Sequence, residues 1–188
     1  MDPRLVLASG SPRRRDLLQR AGLLFDVAPT DVDESPRPGE SARAMALRLA
    51  EAKAAAAGAP GALVIGADTI VVRDGIGLGK PVDDAEAVEM LRSLSGRSHE
   101  VVTAFAVLRG EDRVVRAVST EVRFRPLTEV VIADYVATGE PRDKAGSYGI
   151  QGIGAMLVEG ISGSYTNVVG LPLVEVLDAI AQLGGPRR

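Results

Sequence analysis

The hydrophobic and polar positions of the chain follow two kinds of pattern. Short apolar runs rich in Val, Ile and Leu predict five strands, over residues 4–9, 62–74, 101–110, 113–124 and 155–161. Apolar residues at helical spacing, bounded by Ser, Pro or Gly, predict five helices, over residues 12–21, 41–57, 83–94, 128–137 and 172–183. Strands and helices are interleaved, so we predict an α/β protein with a mixed sheet. No repeat or linker interrupts the pattern, which predicts one domain over residues 1–188.

The segments between these elements are polar and rich in Gly and Pro. Residues 29–40 form a Pro-rich loop, and residues 139–154 have the Gly-rich composition expected of a functional loop. A turn is predicted at residues 74–77 and a further loop at residues 162–172. Gly66 stands in the middle of an apolar run, where we expect a β-bulge or a close approach to a ligand.

Composition removes several classes of chemistry. The 188 residues include no Cys and a single His, His99. A disulfide framework, a thiol nucleophile, a thiolate zinc site and a multi-His metal centre are therefore excluded. A Ser-His-Asp triad could use only His99, whose strand-like surroundings disfavour that role. Any metal must be held by carboxylates, which favours Mg²⁺ or Mn²⁺.

The charge and aromatic content disfavour large polyanionic partners. A net charge of −3 gives no support to nucleic-acid binding, and three Phe, three Tyr and no Trp leave little for base stacking. No apolar run reaches the roughly 18–20 residues of a membrane helix, and the first residues lack a signal-peptide pattern. We therefore expect a cytoplasmic protein that contacts neither membrane nor nucleic acid.

The segment LASGSPRRR near the start of the chain has the pattern of an anion site. A strand leads into a Ser/Gly turn and then a helix, with Ser11 as N-cap and Pro12 at the first helical position. Free backbone N–H groups and the helix dipole would face a ligand there, with hydroxyls from Ser9 and Ser11 and fork-shaped donors from Arg13 and Arg14. The alternative is a capped helix whose arginines are solvated. Cations beside a positive helix end favour the bound polyanion.

Two acids and three lysines are further candidates. Asp68 interrupts the run LVIGADTIVV, so it needs a metal, a cation or access to a cleft, unless it is a structural Asp bonded to backbone. Glu34 in DVDES is a second candidate metal ligand or an ordinary loop acid. Only three of the 22 basic residues are lysines: Lys53, Lys80 and Lys144. Either these lysines are there by chance, or their positions need the compact charge of an ammonium group. Lys80 is either a phosphate ligand or a surface residue.

The last two loops supply groups that could contact a nucleobase. The segment GEPRDKAGSYGIQG has four glycines that let backbone approach a ligand, and Gln151 offers an amide that can pair with a base edge. The segment GSYTNVVGLP contains Asn167, the only Asn of the chain, which is interpreted as a turn residue or as part of the site.

These segments, in this order, resemble the Maf family of septum-formation-inhibitor proteins, whose members are nucleoside triphosphate pyrophosphatases. The resemblance covers nearly the whole chain and rests on these stretches: LASGSPRR, VDE at 32–34, AEAKA, GADTIVV, GKP, LSGRSHEVVTA, GEPRDKAGSYGIQG and GSYTNVVGLP. It implies an elongated mixed-sheet α/β fold with a deep cleft between two lobes, similar to the inosine triphosphatase group. It also implies a homodimer.

The resemblance assigns roles to individual residues. Asp68 matches the catalytic acid of the family, Glu34 its acidic metal-site residue, and the phosphate-binding residues are matched by Ser9, Arg14, Lys53 and Lys80. The family type that acts on dTTP and UTP has Arg, Thr and Gln at three specificity positions, here Arg13, Thr69 and Gln151. The type that acts on 7-methyl-GTP has an aromatic residue, Gln and Glu instead, so the chain resembles the dTTP/UTP type.

The resulting hypothesis is metal-dependent hydrolysis of dTTP and UTP to the monophosphate and pyrophosphate. The triphosphate would be bound by Arg13, Arg14, Lys53 and Lys80. Mg²⁺ or Mn²⁺ would be held by Glu34 and Asp68, and Asp68 would also orient or deprotonate water. Two alternatives remain open from the sequence. One is a nucleotide-binding regulator of division or septation without significant catalysis, and the other is a nucleotidyltransferase, for which no second substrate pocket is recognisable.

Overall fold

The computed structural model of the protein describes residues 3–187. It contains seven strands: β1 (Leu5–Leu7), β2 (Asp26–Val27), β3 (Leu63–Arg73), β4 (Ile76–Leu78), β5 (Ser98–Arg109), β6 (Asp112–Phe124) and β7 (Val158–Ser162). The α-helices are α1 (Pro12–Arg20), α2 (Ala42–Ala56), α3 (Asp84–Leu94), α4 (Glu129–Ala137), α5 (Tyr165–Val169) and α6 (Leu173–Gln182). Short 3-10 helices occupy Glu140–Asp143, Ala145–Ser147 and Gly152–Leu157. The predicted domain over 1–188 also includes residues 1, 2 and 188, which lie outside the described range.

All seven strands belong to one open, mixed sheet. The order is β2-β1-β3-β5-β6-β7, with β4 beside the far end of β3. β1 is parallel to both of its neighbours, whereas the pairs from β3 onward are antiparallel. The predicted α/β class with a mixed sheet and flanking helices is confirmed.

The unequal lengths of β1 and β3 create an opening in the sheet. β1 pairs with residues 63–65 of β3, and β4 pairs with residues 71–73. Within the described chain, no strand covers residues 66–70 on this side, although β5 pairs with β3 without interruption along the other edge. Asp68 and Thr69 lie in this uncovered stretch. Their side chains point to opposite faces of the sheet because successive residues of a strand alternate, yet both reach the same opening.

Helices cover both faces of the sheet. α2 packs its alanines Ala46, Ala50 and Ala54 against one face. On the other face, α1 and α6 pack on one part of the sheet, and α3 and α4 pack on another. Thr69 and Thr103 are paired across β3 and β5, between the two groups of helices. Polar residues thus occupy the position where the two hydrophobic clusters meet.

The structure corrects several details of the predicted elements. The first strand is shorter than residues 4–9, the predicted turn at 74–77 includes the start of β4, and the loop at 162–172 contains α5. β2 was not predicted. The pairing of β3 with β5 is regular through Gly66, so no bulge occurs there. A Cβ at Gly66 would overlap the backbone of α2, 2.6 Å from Ala54 N, so the close approach is to a helix and not to a ligand.

Membrane insertion was not expected from the sequence. Within residues 3–187, no helix is both long and apolar enough to cross a bilayer.

Candidate active site

One cavity of about 540 Å³ lies at the opening beside β3. Its walls come from the turn after β1, the loop before α2, α2 itself, β3, and the loops that follow β4, α4 and α5. All residues predicted as site residues line it: Ser9, Ser11, Arg13, Arg14, Glu34, Lys53, Asp68, Thr69, Lys80 and Gln151. Segments far apart in the chain are therefore brought to a single place, and the roles of the individual residues stay predictions.

An ammonium group joins the two predicted metal-site acids. Lys53 Nζ lies 2.6 Å from Glu34 Oε1 and 2.7 Å from Asp68 Oδ1. The side chains of Lys53 and Asp68 are 12% and 11% exposed, whereas that of Glu34 is 53% exposed. Asp68 is thus a largely buried carboxylate with a cation partner and an open path to the cavity. A charged group in an apolar strand is costly to bury unless it has a partner of opposite charge, and Lys53 is that partner for Asp68.

The close packing of α2 on β3 sets this arrangement. Gly66 has no side chain, so the backbone of α2 around Ala50 and Ala54 lies directly against the strand. Lys53 is adjacent to Ala54 on the helix, and Asp68 is two residues after Gly66 on the same face of β3. Thr30 Oγ1 donates to Lys53 O at 3.3 Å, which ties the loop before α2 to the helix.

Glu34 is ionised in the cavity. Partial burial by itself would raise its pKa, but the hydrogen bond and charge of Lys53, together with the charges of Lys80 and Arg14, hold the pKa below its ordinary value. Because the charge of Lys80 has this effect, Lys80 lies near the acidic side of the cavity. A carboxylate that stays deprotonated at neutral pH is a suitable oxygen ligand for a hard cation.

The two acids fit the metal that the family resemblance implies. Among residues 3–187, no group of three or more acidic or histidine side chains forms a metal cage. Mg²⁺ is commonly held by one or two protein carboxylates, with waters and substrate phosphates completing its coordination. Glu34 and Asp68, which share one ammonium partner, provide such a pair of carboxylates.

The turn after β1 begins α1 as the sequence predicts. Ser11 is the N-cap and its hydroxyl accepts from Arg14 N, while Pro12 is the first helical residue. Ser9 Oγ accepts from Ser11 N and from Arg14 Nη1, both at 3.2 Å. Both lone pairs of the Ser9 hydroxyl are thereby used, so its hydrogen is free to donate to an anion in the cavity.

Arg14 is held by the protein more completely than the sequence indicates. Its Nε donates to Gly170 O and its Nη1 to Ala67 O, both at 2.8 Å. Nη1 also reaches Ser9 Oγ, and Nη2 donates to Thr69 Oγ1 at 3.2 Å. Four of its five N–H groups are therefore used, and one remains for a ligand. Burial lowers the pKa of Arg14, against the opposing effect of the Asp68 charge, but an arginine stays charged at neutral pH.

The mouth of the cavity carries a balance of charges that favours an anion. Arg13 Nη1 lies 3.3 Å from Asp143 Oδ2, and Lys144 Nζ lies 2.6 Å from Asp143 Oδ1. Counting all lining residues gives five basic groups (Arg13, Arg14, Lys53, Lys80, Lys144) against three acidic ones (Glu34, Asp68, Asp143). A polyphosphate would meet net positive charge there.

The loop that carries Gln151 is fastened by a half-buried carboxylate, that of Glu140. Glu140 accepts hydrogen bonds from the backbone of Ile153 and Gly154 and from the hydroxyl of Tyr135. Burial would raise the pKa of Glu140, but these hydrogen bonds lower it below its ordinary value. Gln151 lines the cavity two residues before Ile153, so it lies next to the fastened part of the loop.

Comparison with known protein families decides the classification. The family described as Maf-like protein matches residues 4–183. The chain belongs to the Maf family. Membership of this family agrees with the open mixed sheet and with the cavity beside β3.

Three relatives of this Maf chain carry the same name. A dTTP/UTP pyrophosphatase of Geobacter sulfurreducens is 55% identical over 185 residues, covering 96% of this chain and 97% of that protein. Proteins of the same name from Moorella thermoacetica and Symbiobacterium thermophilum are 56% and 53% identical over 186 and 184 residues. These two alignments cover 96% and 97% of this chain, and 95% of each relative.

Two buried residues of the Maf chain were overlooked or undervalued in the sequence. Thr103 is fully buried and contacts Thr69, although it lies within an apolar run that predicts only core packing. Asn167, for which a turn role was considered, is fully buried and donates to Val101 O and Thr120 Oγ1, both at 3.0 Å. The available signal for Thr103 was a polar residue inside an apolar run. For Asn167 it was that the chain has a single Asn.

Among residues 3–187, the hydrogen-bond partner of His99 is a tyrosine, not a serine or threonine. Its Nε2 lies 2.7 Å from Tyr148 Oη, and its ring packs edge-on against Phe124 and Tyr148. Burial lowers the pKa of His99 to about 4. It is therefore a neutral core residue.

Proposed function

We propose that the protein is a metal-dependent nucleoside triphosphate pyrophosphatase that hydrolyses dTTP and UTP to the monophosphate and pyrophosphate. The observation that carries this proposal is the shared Lys53 contact of Asp68 and Glu34 inside a cavity with net positive charge. The names of relatives more than 50% identical over nearly the whole chain support the substrate assignment.

The chain's own residues account for the main steps of the reaction. The triphosphate binds against Arg13, Lys80, the free Ser9 hydroxyl and the remaining N–H of Arg14. A water molecule attacks the α-phosphorus. The bond from this phosphorus to the oxygen that bridges the α- and β-phosphates breaks, and pyrophosphate leaves. Asp68 orients this water and accepts its proton, while Lys53 holds the Asp68 carboxylate in place. General-base assistance of this kind contributes on the order of 10²–10⁴-fold.

Glu34 and Asp68 are the residues that would hold the divalent cation. A bound Mg²⁺ or Mn²⁺ would supply electrostatic stabilisation of the charge that develops on the phosphate oxygens. The partial exposure of Glu34, at 53%, leaves it accessible to a cation that arrives with the nucleotide.

Substrate selection is proposed to come from Arg13, Thr69 and Gln151. A base that leaves one buried polar group without a partner costs about 1–3 kcal/mol, which corresponds to roughly 5- to 150-fold in kcat/KM. Two such contacts are enough for a strong preference for one class of base.

A nucleotide panel with analysis of both products tests the function. The purified protein is incubated with Mg²⁺ or Mn²⁺ and each of dTTP, UTP, CTP, ATP and GTP. We expect monophosphate and pyrophosphate in equal amounts, with dTTP and UTP turned over best. Nucleotide binding without products would favour the regulator hypothesis, and equal turnover of ATP or GTP would contradict the substrate assignment.

Asp68→Asn tests the role of the acid. The substitution keeps the shape of the side chain and removes its ability to accept a proton. We expect kcat to fall at least 100-fold while nucleotide binding, measured by calorimetry, changes little. Asp74→Asn is the matched control, because Asp74 lies in an exposed turn outside the cavity and pairs with Arg97. If Asp68→Asn binds nucleotide normally and keeps more than a tenth of the wild-type kcat, Asp68 is not the base.

Three further expectations remain proposals drawn from the sequence and its family resemblance. They are a homodimeric state, a cytoplasmic location and the lack of a nucleic-acid partner.

A further inference from the structure

A chain of hydrogen bonds leads from the cavity into the core between the two groups of helices. Arg14 Nη2 lies 3.2 Å from Thr69 Oγ1, which lies 2.9 Å from Thr103 Oγ1. Thr103 Oγ1 lies 2.8 Å from the backbone oxygen of Asn167. Thr69 is partly exposed and lines the cavity, whereas Thr103 and Asn167 are fully buried.

The chemistry of the end groups fixes the direction of every hydrogen in this chain. A carbonyl oxygen can only accept, so the single hydroxyl hydrogen of Thr103 is donated to Asn167 O. Thr103 must then accept from Thr69, which uses the hydrogen of Thr69. The guanidinium of Arg14 can only donate, so it occupies one lone pair of Thr69 Oγ1. The group that Thr69 still offers to the cavity is a lone pair, and it cannot donate.

The inner end of the chain is held by several hydrogen bonds. The Asn167 side chain donates to Val101 O and to Thr120 Oγ1, and its backbone oxygen also accepts from Gly170 N at 3.0 Å. Thr103 is fixed by the central strand β5 directly opposite Thr69. Reversal of the chain would place two lone pairs against each other in the core, which is costly for buried polar groups.

We infer that Thr103 is a positioning residue for substrate selection: by taking the Thr69 hydrogen, it makes Thr69 an acceptor that favours bases with an N–H at ring position 3. Uracil and thymine have this N–H, whereas cytosine has a lone pair at the same position. The inference rests on the proposed function and deepens it. It explains how a hydroxyl, which could otherwise donate or accept, discriminates between pyrimidines of nearly equal size.

Thr103→Val tests this assignment, because valine has the shape of threonine without the acceptor. With Thr103→Val, the Thr69 hydroxyl can turn its hydrogen toward the cavity and pair with cytosine N3. We expect wild type to prefer UTP over CTP in kcat/KM, and Thr103→Val to reduce that ratio by about 5- to 100-fold. Thr103→Ser keeps the hydroxyl, so it should retain the wild-type ratio within about twofold. The backbone oxygen of Asn167 keeps Gly170 N as a partner in every variant.

The ratio of two substrates separates this role from a purely structural one. Equal loss of UTP and CTP turnover in Thr103→Val, or a wild-type enzyme without preference for UTP, would overturn the inference. No pyrophosphate from any nucleotide would instead contradict the proposed function. If Thr103→Val does not fold by circular dichroism, Thr69→Val at the partly exposed position is measured. It removes the acceptor itself and must lower the UTP-to-CTP ratio to the same extent; an unchanged ratio rejects the inference.

Discussion

Lys53 determines the electrostatic state of the acidic side of the cavity. Its ammonium group contacts both Asp68 and Glu34, so its positive charge offsets the repulsion between the two carboxylates. The remaining oxygens of the two carboxylates are the proposed ligands of the divalent cation. An arginine could not serve in the same way, because its planar fork needs more space than a compact ammonium group.

Glu34→Gln is expected to weaken metal binding more than substrate binding. Glutamine keeps an oxygen that can accept from Lys53 Nζ but removes the negative charge. We expect the Mn²⁺ concentration for half-maximal activity to rise at least tenfold, a change typical of altered metal-site residues. Direct Mn²⁺ titration followed by electron paramagnetic resonance in the presence of nucleotide should show the same increase.

Glu100→Gln is the control for that experiment, because Glu100 is an exposed residue of β5 outside the cavity lining. It should leave the Mn²⁺ dependence unchanged. An unaltered half-saturation concentration in Glu34→Gln would show that Glu34 is not a metal ligand.

At the scale of elements, the distance between α2 and β3 decides whether Lys53 reaches Asp68. Gly66→Ala places a methyl group 2.6 Å from Ala54 N and against the Ala50 backbone, so the helix must move away from the strand. We expect a loss of stability of about 1–3 kcal/mol from overpacking. Thermal unfolding measures this loss, and kcat/KM should fall by more than tenfold because a small misplacement of a catalytic group is costly.

Gly160→Ala provides the matched control for Gly66→Ala. Gly160 lies in β7, its φ is not positive, and no atom lies within 4 Å of an added Cβ. This substitution should change neither stability nor kcat/KM substantially. Wild-type activity in Gly66→Ala, at a temperature where the variant is folded, would show that the α2–β3 distance does not control the site.

The long elements were predictable because each carries its own pattern. β3 and β5 have 11 and 12 residues with extended apolar runs, β6 has 13 residues in which valine recurs, and α3 begins at a capping aspartate, Asp83. β2 and β4 have two and three residues, too few for a period, and they exist because neighbouring strands pair with them. α5 has five residues, and a helix that short depends on tertiary packing.

The candidate site was predictable where its residues belong to local motifs. The recognisable segments contain residues 9–14, Lys53, Asp68 and Gln151, and the structure brings these residues to one cavity. The Lys53 bridge and the contact of Thr69 with Thr103 depend on the packing of α2 and on the pairing register of β3 with β5. Neither can be obtained from residue spacing along the chain.

At the scale of the whole molecule, the protonation of one buried histidine makes the stability of the folded state depend on pH. His99 is 4% exposed and its pKa is lowered to about 4, against an ordinary value of 6.5. Above pH 6.5 the histidine is neutral in both folded and unfolded chains. As the pH falls below 6.5, only the unfolded chain takes up the proton, so the folded state loses stability until the pH reaches about 4. The full loss is about 3 kcal/mol.

His99→Phe isolates this effect from the titration of carboxylates. Phenylalanine fits the edge-on packing with Phe124 and Tyr148 but leaves the Tyr148 hydroxyl without its partner. The variant should be less stable than wild type by about 1–3 kcal/mol at pH 7.5. Because the variant cannot take up the proton, the difference should narrow or reverse by pH 4.5. Urea unfolding at several pH values measures both curves. Parallel curves across this range would mean that His99 does not contribute to the acid sensitivity of the fold.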